Sequence, residues 1–379
     1  MLATTGWTAV HRPEAGVSPR AAALAAWSGA TFQGRPLPAA DAPVRTVARF
    51  FAGLDGAQRA RLAEGHPLVV GNLDGVPVAT RYRANLLGLR RAALAEEARG
   101  RDVALTPADR ATAVRRAHRF ASLAEPGRQI LAFDPTGGGL VAEVFGELAE
   151  ARRISVIVPG VDTDAVTFER TQRRLTAPAG MAESLYETER ASAPDGRTAV
   201  IAWAGYEAPT GLGMDAATGR LAVDGAVRLK SLTAGLPGSA SIALFCHSYG
   251  SVVCGVAAHE LPDRVTDLVV AGSPGMRAES VAELRTSARV WAARDEGDWI
   301  ADVPHLEFGG LGHGADPVSP GFGARLLSSA GARNHTGYFE PGTASLDNFA
   351  KIGTGTFGSL VCATGNGSCR AGISGAEQD

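Results

Sequence analysis

Residues 242–257 read Ile242-Ala-Leu-Phe-Cys246-His247-Ser248-Tyr249-Gly250-Ser-Val-Val-Cys254-Gly-Val-Ala257. An apolar, strand-forming run leads straight into Ser248, and a run of small, helix-compatible residues leaves it. This is the sequence form of a sharp strand-to-helix turn that lifts a serine hydroxyl to the rim of a parallel sheet. A serine is a poor nucleophile at neutral pH unless a base and an anion-stabilising pocket surround it. Such a turn exposes the oxygen and aims the first N–H groups of the next helix at developing negative charge. The usual spacing is Gly-x-Ser-x-Gly, and Cys246 stands where the first glycine is expected. Small residues are wanted there because strand and helix pass close together.

The rest of the chain sets the context. It has 379 residues, 45% hydrophobic and 20% charged, with a formal charge of −2. That composition suits a packed protein and offers no electrostatic footing for nucleic acid. No stretch approaches the roughly 18 uninterrupted apolar residues of a membrane span. The N-terminus lacks a signal-peptide layout, because the short apolar stretch Ala21–Trp27 follows Pro13 and Pro19; it reads as helix, and the protein as cytoplasmic. Cys362 and Cys369 bracket a loop that could close into a disulfide, which would favour export. Cys246 and Cys254 read as small buried residues, with Cys246 near enough to Ser248 to be a secondary nucleophile.

Residues 1 to about 125 carry helical periodicity over Val44–Leu62, Tyr82–Ala98 and from Thr106 (an N-cap) to Leu123. The intervening His66–Pro77 is rich in turn residues and reads as a connection. After Glu125-Pro-Gly127 short apolar runs alternate with helix patterns. Strands are expected at Gln129–Phe133, Ile154–Val158, Thr198–Trp203, Ser241–Phe245, Thr266–Ala271 and Ala288–Ala292. Helices are expected at Gly139–Ala151, Glu169–Tyr186, Val227–Leu236 and Phe322–Ser329. Interleaved strands and helices predict an α/β architecture, a mostly parallel sheet with chemistry at the carboxyl ends of its strands.

A serine nucleophile in this topology takes its partners in the order serine, acid, histidine. The acid should follow the late strand ending near Ala293, where Asp295, Asp298 and Asp302 lie. Asp298 is chosen because Gly297-Asp-x-Ile300 forms a turn anchored by an apolar residue, with Asp295 the alternative. Of the eight histidines, His247 adjoins the serine and should point away, and His259 is too far along its helix to reach back. Among His305, His313 and His335, His335 lies latest, after a helix pattern. Tyr249 N–H, directly after the nucleophile, and Val161 N–H, beside Gly160 on the loop after Ile154–Val158, are the expected oxyanion donors. Gly137-Gly138-Gly139 lacks the Lys-Ser/Thr of a phosphate loop, and no Cys/His spacing suits zinc, so no cofactor or metal is expected.

With these residues assembled, the chain resembles a family of bacterial alpha/beta-hydrolases of largely undefined role. The resemblance runs over about residues 60–355. It rests on Val70-Gly-Asn-Leu-Asp-Gly-Val-Pro77 with Arg81 and Asn85, Val158-Pro-Gly-Val161 and Ala202-Trp-Ala-Gly-Tyr206-Glu-Ala-Pro209. It continues through Cys246-His-Ser-Tyr-Gly-Ser251, Gly297-Asp-Trp-Ile300, Gly314-Ala-Asp-Pro317 and Asn334-His-Thr-Gly-Tyr-Phe339. It implies the alpha/beta-hydrolase fold and a serine nucleophile, supports Ser248, Asp298 and His335 position by position, and supplies no substrate. The expected organisation is a helical segment over 1–125, a hydrolase domain over 126–360 and a tail over 361–379. The expected function is hydrolysis of an ester or related acyl bond in a small molecule, through an acyl-enzyme on Ser248. Acyl transfer or cyclisation by the same triad, or a non-catalytic binding role suggested by Cys246, are the alternatives. The sequence leaves the oligomeric state open.

Overall fold

The computed structural model describes residues 18–363 and 368–373. Residues 1–17 of the expected helical segment, with 364–367 and 374–379 of the expected tail, lie outside the described residues. The chain begins with helices α1 (Pro19–Ser28), α2 (Val44–Ala52), α3 (Gly56–Gly65), α4 (Pro67–Val70), α5 (Val78–Arg101) and α6 (Pro107–Leu123); a two-residue-strand hairpin, β1 (Thr31–Phe32) and β2 (Arg35–Pro36), sits between the first two. The pattern expected as one helix over Val44–Leu62 is broken at Gly53. A new helix starts there on a capping box, with Asp55 and Gln58 each bonding the other's backbone N–H.

The strands that follow are β3 (Gln129–Asp134), β4 (Leu140–Phe145), β5 (Arg153–Val158), β6 (Thr198–Ala204), β7 (Ser241–His247), β8 (Val265–Ala271), β9 (Arg289–Ala293), β10 (Glu307–Phe308), β11 (Leu311–Gly312) and β12 (Arg325–Leu326). Eight of them form one sheet in the order β12-β9-β8-β7-β5-β6-β4-β3. Only β4 runs against the others. Helices α7 (Pro178–Ser192) and α11 (Ala344–Thr354) cover one face, and α9 (Arg220–Gly235) and α10 (Gly250–Ala257) the other, with the short α8 (Met214–Ala217) between β6 and α9. Alternate residues of each central strand feed the two cores. Ile157, Phe245, Val269 and Trp291 lie on the α7/α11 side, and Val156, Leu244, Cys246 and Val270 on the α9/α10 side. Among the described residues no helix is long and apolar enough to cross a membrane.

Three expected helices are corrected. Residues 139–151 hold β4, which forms a hairpin with β3 through a turn whose Gly137 and Gly139 adopt positive φ. β4 is buried on both faces, Glu143 included through its pair with Arg128, and period alone does not separate such a strand from a buried helix. Its Val141, Val144 and Phe145 favour the extended form. The helix expected at 169–186 starts only at Pro178, a residue suited to a first helical turn. The pattern at 322–329 is no helix: Arg325–Leu326 adds β12 beside β9.

The segment read as a mere connection before α5 is a polar latch. The Asn72 side chain pairs with the backbone of edge strand β3, donating to Phe133 O (2.7 Å) and accepting from Phe133 N–H (3.0 Å). Asn85 donates to Gly71 O (3.0 Å) and Ile130 O (2.9 Å), and Arg81 to Leu131 O (3.1 Å) and Asp74 (3.0 Å). An edge that would expose unpaired N–H and C=O groups is thereby covered by side chains of the helical segment.

Strands β5 and β7 are hydrogen-bonded neighbours, with Val158 opposite Cys246. The chain leaves β5 toward β6 on one side and β7 toward β8 on the other. A crevice opens above strand ends wherever neighbouring connections diverge in this way. Cys246 does not pack as a free side chain: it is joined to Cys254 of α10 by a disulfide, and Cys362 is joined to Cys369. Closing a loop with sequence separation 8 should stabilise the fold by about 2–3 kcal/mol. Replacing Cys246 and Cys254 together by Ala is therefore expected to lower the unfolding free energy in urea by that amount; an unchanged midpoint would contradict it.

Beneath the sheet, Glu189 of α7 is fully buried, with Ser155 of β5 donating to one carboxyl oxygen and the other left without a partner. Burial pushes its carboxyl up to about 8. The native state thus holds a proton that the unfolded chain releases above the ordinary value of 4.5. Stability contributed by this group is present below that value and is lost as pH rises toward 8. Glu189→Gln should raise the thermal midpoint at pH 8 relative to wild type and leave the two alike near pH 4; equal midpoints at pH 8 would show that the group is not held protonated.

Candidate active site

Ser248 sits where β7 ends and α10 begins, with a left-handed backbone (φ 54°) and only 5% of its surface exposed. A β-carbon on Gly250 would strike the carbonyl oxygen of Val158, and one on Gly160 would come within 2.6 Å of the Ser248 β-carbon. These two glycines let the β5 loop and α10 close around the serine. The turn is held from behind: Ser248 N–H bonds Ala271 O (3.0 Å), and Ser251 Oγ donates to Ser248 O (2.6 Å).

The structure brings the three expected residues together. Ser248 Oγ lies 2.7 Å from His335 Nε2, and His335 Nδ1 lies 2.9 and 3.1 Å from the two carboxyl oxygens of Asp298. A carboxylate only accepts, so Nδ1 carries the proton and Nε2 presents a lone pair to the serine hydroxyl. Burial alone would raise the Asp298 carboxyl, but hydrogen bonds from His335, Tyr338 and the Ile300 N–H outweigh it and hold the group below the usual carboxylate range. Tyr338 O–H donates to Asp298 Oδ2 at 2.6 Å while accepting from Asp295 N–H. Asp295, the alternative acid, instead accepts the N–H of Asn334 (3.0 Å), whose own φ of 62° turns the chain into His335. Gly272, at φ 56°, leaves room for this assembly, since a β-carbon there would lie 2.8 Å from Asp298 Oδ2 and 3.1 Å from His335 Nδ1.

His247 makes no hydrogen bond to Ser248 and meets His335 instead. Its Nε2–H donates to the carbonyl oxygen of His335 at 2.6 Å, and the two rings are 4.9 Å apart. Burial, with the neighbouring His335 adding to it, pushes its imidazole down to about 4, so it is neutral near pH 7. The signal was its adjacency to Ser248. Side chains on a strand do alternate, but His247 faces the α11 side, where the His335 segment returns. Of the remaining candidates, His305 lies 3.8 Å from Asp316, away from the serine, and His259 sits beside Glu260. His313 donates from Nε2 to Ala216 O (2.7 Å) and packs edge-on against Tyr249.

Val161 and Tyr249 both line the cavity that opens on Ser248, and neither N–H has an acceptor among the described residues. The Val161 loop is fixed by Tyr206, whose O–H bonds Pro159 O (2.6 Å), and by Asp162, at φ 57°, whose N–H bonds Pro209 O (2.8 Å). The cavity holds about 430 Å³ and is walled chiefly by apolar side chains, among them Trp299, Ile300, Val303 and Leu306. Trp299 also lies 4.7 Å, ring to ring, from His335. Among the described residues no group of three or more His, Cys, Asp or Glu side chains is arranged to hold a metal ion.

Residues 134–308 match the sequence profile of a family described as alpha/beta hydrolase. The uncharacterized protein Rv2079 of Mycobacterium tuberculosis is 28% identical over 381 residues, covering 84% of this chain; the chain spans 56% of that relative's length. The uncharacterized protein Rv0963c of the same organism is 31% identical over 180 residues, or 45% of this chain and 66% of the relative. The crystal structure of 2,6-dihydroxy-pseudo-oxynicotine hydrolase aligns over 91% of this chain and 99% of its own, at 13% identity and a TM-score of 0.36.

The tight fit around Gly272 generates a test of the geometry. Gly272→Ala should separate Asp298 from His335 and reduce the reactivity of Ser248 toward a fluorophosphonate by about 100-fold, with an unchanged circular dichroism spectrum. Undiminished labelling would mean that the Asp298–His335 contact does not activate the serine.

Proposed function

The chain carries the alpha/beta-hydrolase fold, and on that premise we propose that it is a serine hydrolase that cleaves an ester or related acyl bond through an acyl-enzyme on Ser248. The observation that carries this reading is the unbroken line of hydrogen bonds from Ser248 Oγ through His335 to Asp298. Fold alone would not carry it, since one fold hosts many functions.

In the proposed reaction His335 Nε2 takes the hydroxyl proton as Ser248 Oγ bonds to the acyl carbon. Asp298, ionised and hydrogen-bonded to Nδ1, fixes the tautomer and favours the imidazolium that forms. Charge collecting on the acyl oxygen meets the unpartnered N–H groups of Val161 and Tyr249, each such donor contributing roughly 3 kcal/mol in the transition state. His335 then returns its proton to the departing alkoxide. Water repeats the sequence in reverse and releases the acid.

Cys246, the residue that favoured a non-catalytic role, is taken up by its disulfide with Cys254, and the backbone at Ser248 still adopts the left-handed turn. This weighs toward catalysis. The same bond excludes Cys246 as a secondary nucleophile while it is oxidised. Two disulfides also favour an oxidising compartment over the cytoplasm expected from the N-terminal residues.

A fluorophosphonate should label the wild-type protein once and leave Ser248→Ala unlabelled. On p-nitrophenyl butyrate Ser248→Ala should lose roughly 10⁴- to 10⁶-fold in kcat. Equal rates for the two proteins would end the assignment.

A further inference from the structure

Twelve large hydrophobic side chains of the described chain are exposed, and half of them gather at one place. Leu212, Trp299, Leu306, Phe308 and Leu311 line the cavity beside Ser248, and Met214 stands on the short helix next to Leu212; Leu212, Met214 and Phe308 are between 68% and 84% exposed. The other six are spread over α5, α6, α9 and the loops, where single exposed apolar residues are ordinary. A contiguous apolar rim around an apolar cavity marks a surface that meets something apolar.

Five of the six are carried on two lips, and Trp299 stands on the 3-10 turn Trp299–Asp302. One lip is residues 211–218, including the short helix α8 (Met214–Ala217); the other is residues 306–313, the β10–β11 hairpin. They are tied to each other and to the site. Thr218 bridges Leu311, His313 Nε2–H bonds Ala216 O, and Tyr249 O–H bonds Thr218 O (2.7 Å). Arg277 braces the hairpin from below through Gly312 O (3.0 Å) and Glu307 (2.6 Å). The apolar side chains therefore project from a braced scaffold with the cavity open between them. The lips hold two charged residues, and both are paired: Glu307 with Arg277 and Asp215 with Arg220. Lips without unpaired charge suit a neutral surface and have no feature that would select an anionic one.

Resting on the hydrolase reading above, we propose that the rim seats the protein on the surface of a neutral, aggregated lipid ester, whose alkyl chains enter the apolar cavity beside Ser248. The rim is continuous with the cavity wall, since five of its six residues line both. An alkyl chain leaving the aggregate then passes from one apolar environment to another without crossing water, and the ester carbonyl arrives at the serine with its chain already buried.

Tributyrin followed across its solubility limit tests this, because the same bond is offered first as a monomer and then as an aggregate. Hydrolysis should rise by at least about tenfold beyond the limit, where added ester goes only into the new surface. Wild type and Ser248→Ala should both co-sediment with phosphatidylcholine vesicles. Met214→Asp and Phe308→Asp should each reduce that co-sedimentation by at least about fivefold, since a charge placed in the rim must leave water on docking. Met214 lies outside the cavity wall, so Met214→Asp should keep hydrolysis of monomeric tributyrin within about twofold of wild type. Hydrolysis of the monomer with no rise at the limit would overturn this proposal alone, as would co-sedimentation indifferent to both substitutions. Concentration-dependent dimerisation with no vesicle binding would assign the rim to a second copy of the chain and overturn it too. Hydrolysis at no concentration would overturn the hydrolase reading with it.

Discussion

Ser248 holds a backbone conformation that a residue with a side chain adopts only at a cost of about 1–3 kcal/mol, and the rim of the sheet is organised around keeping it there. Gly250 lets α10 start against the carbonyl of Val158, Gly160 lets the neighbouring loop lie over the serine, and Ala271 and Ser251 hold the turn from behind. The Cys246–Cys254 disulfide closes the same corner covalently, joining the last turn of the strand to the helix it feeds. A small residue is wanted at position 246 because the two backbones converge. In this chain the convergence is used to make a bond.

Asp298 and His335 are set by the same logic of strained turns backed by buried hydrogen bonds. Asn334 turns the chain into His335 with a left-handed backbone, and Asp295 secures that turn by accepting its N–H. Tyr338 joins the two loops, donating to Asp298 and accepting from Asp295 N–H. His247 closes the circuit from the serine's own strand to the carbonyl of His335. The imidazole is therefore located by its ring contacts, by its backbone and by the residue preceding Ser248.

Much of this was legible in the residues, and the part that was not has physical causes. The apolar run into Ser248 and the small residues after it announced the turn, and strand spacing placed an acid after β9 and a histidine late in the chain. β4 does not show itself in the residues, because a strand buried on both faces has no alternation to show. Ala344–Thr354 is set off by Pro341-Gly342 and capped by Thr343, so its start is legible in the residues. The bond from His247 to the His335 carbonyl depends on where the late loop returns over the sheet, which residue order does not show. The left-handed backbones at Asp162 and Asn334 leave no composition signal beyond an Asp and an Asn, residues that tolerate that conformation better than most. The pairing of Cys246 with Cys254 depends on how closely α10 folds back on β7, a distance that spacing alone does not reveal.

The amide of Asn72 faces the backbone of Phe133 as another strand would, with one bond given and one taken. Strand β3 therefore ends the sheet without ending its hydrogen bonding, and the helices before it act as a selvedge to the woven strands. A chain begun after residue 125 would lose that border. Its raw margin would offer the first free peptide groups it met a place to add a ninth strand, and such fragments would grow into one another edge to edge.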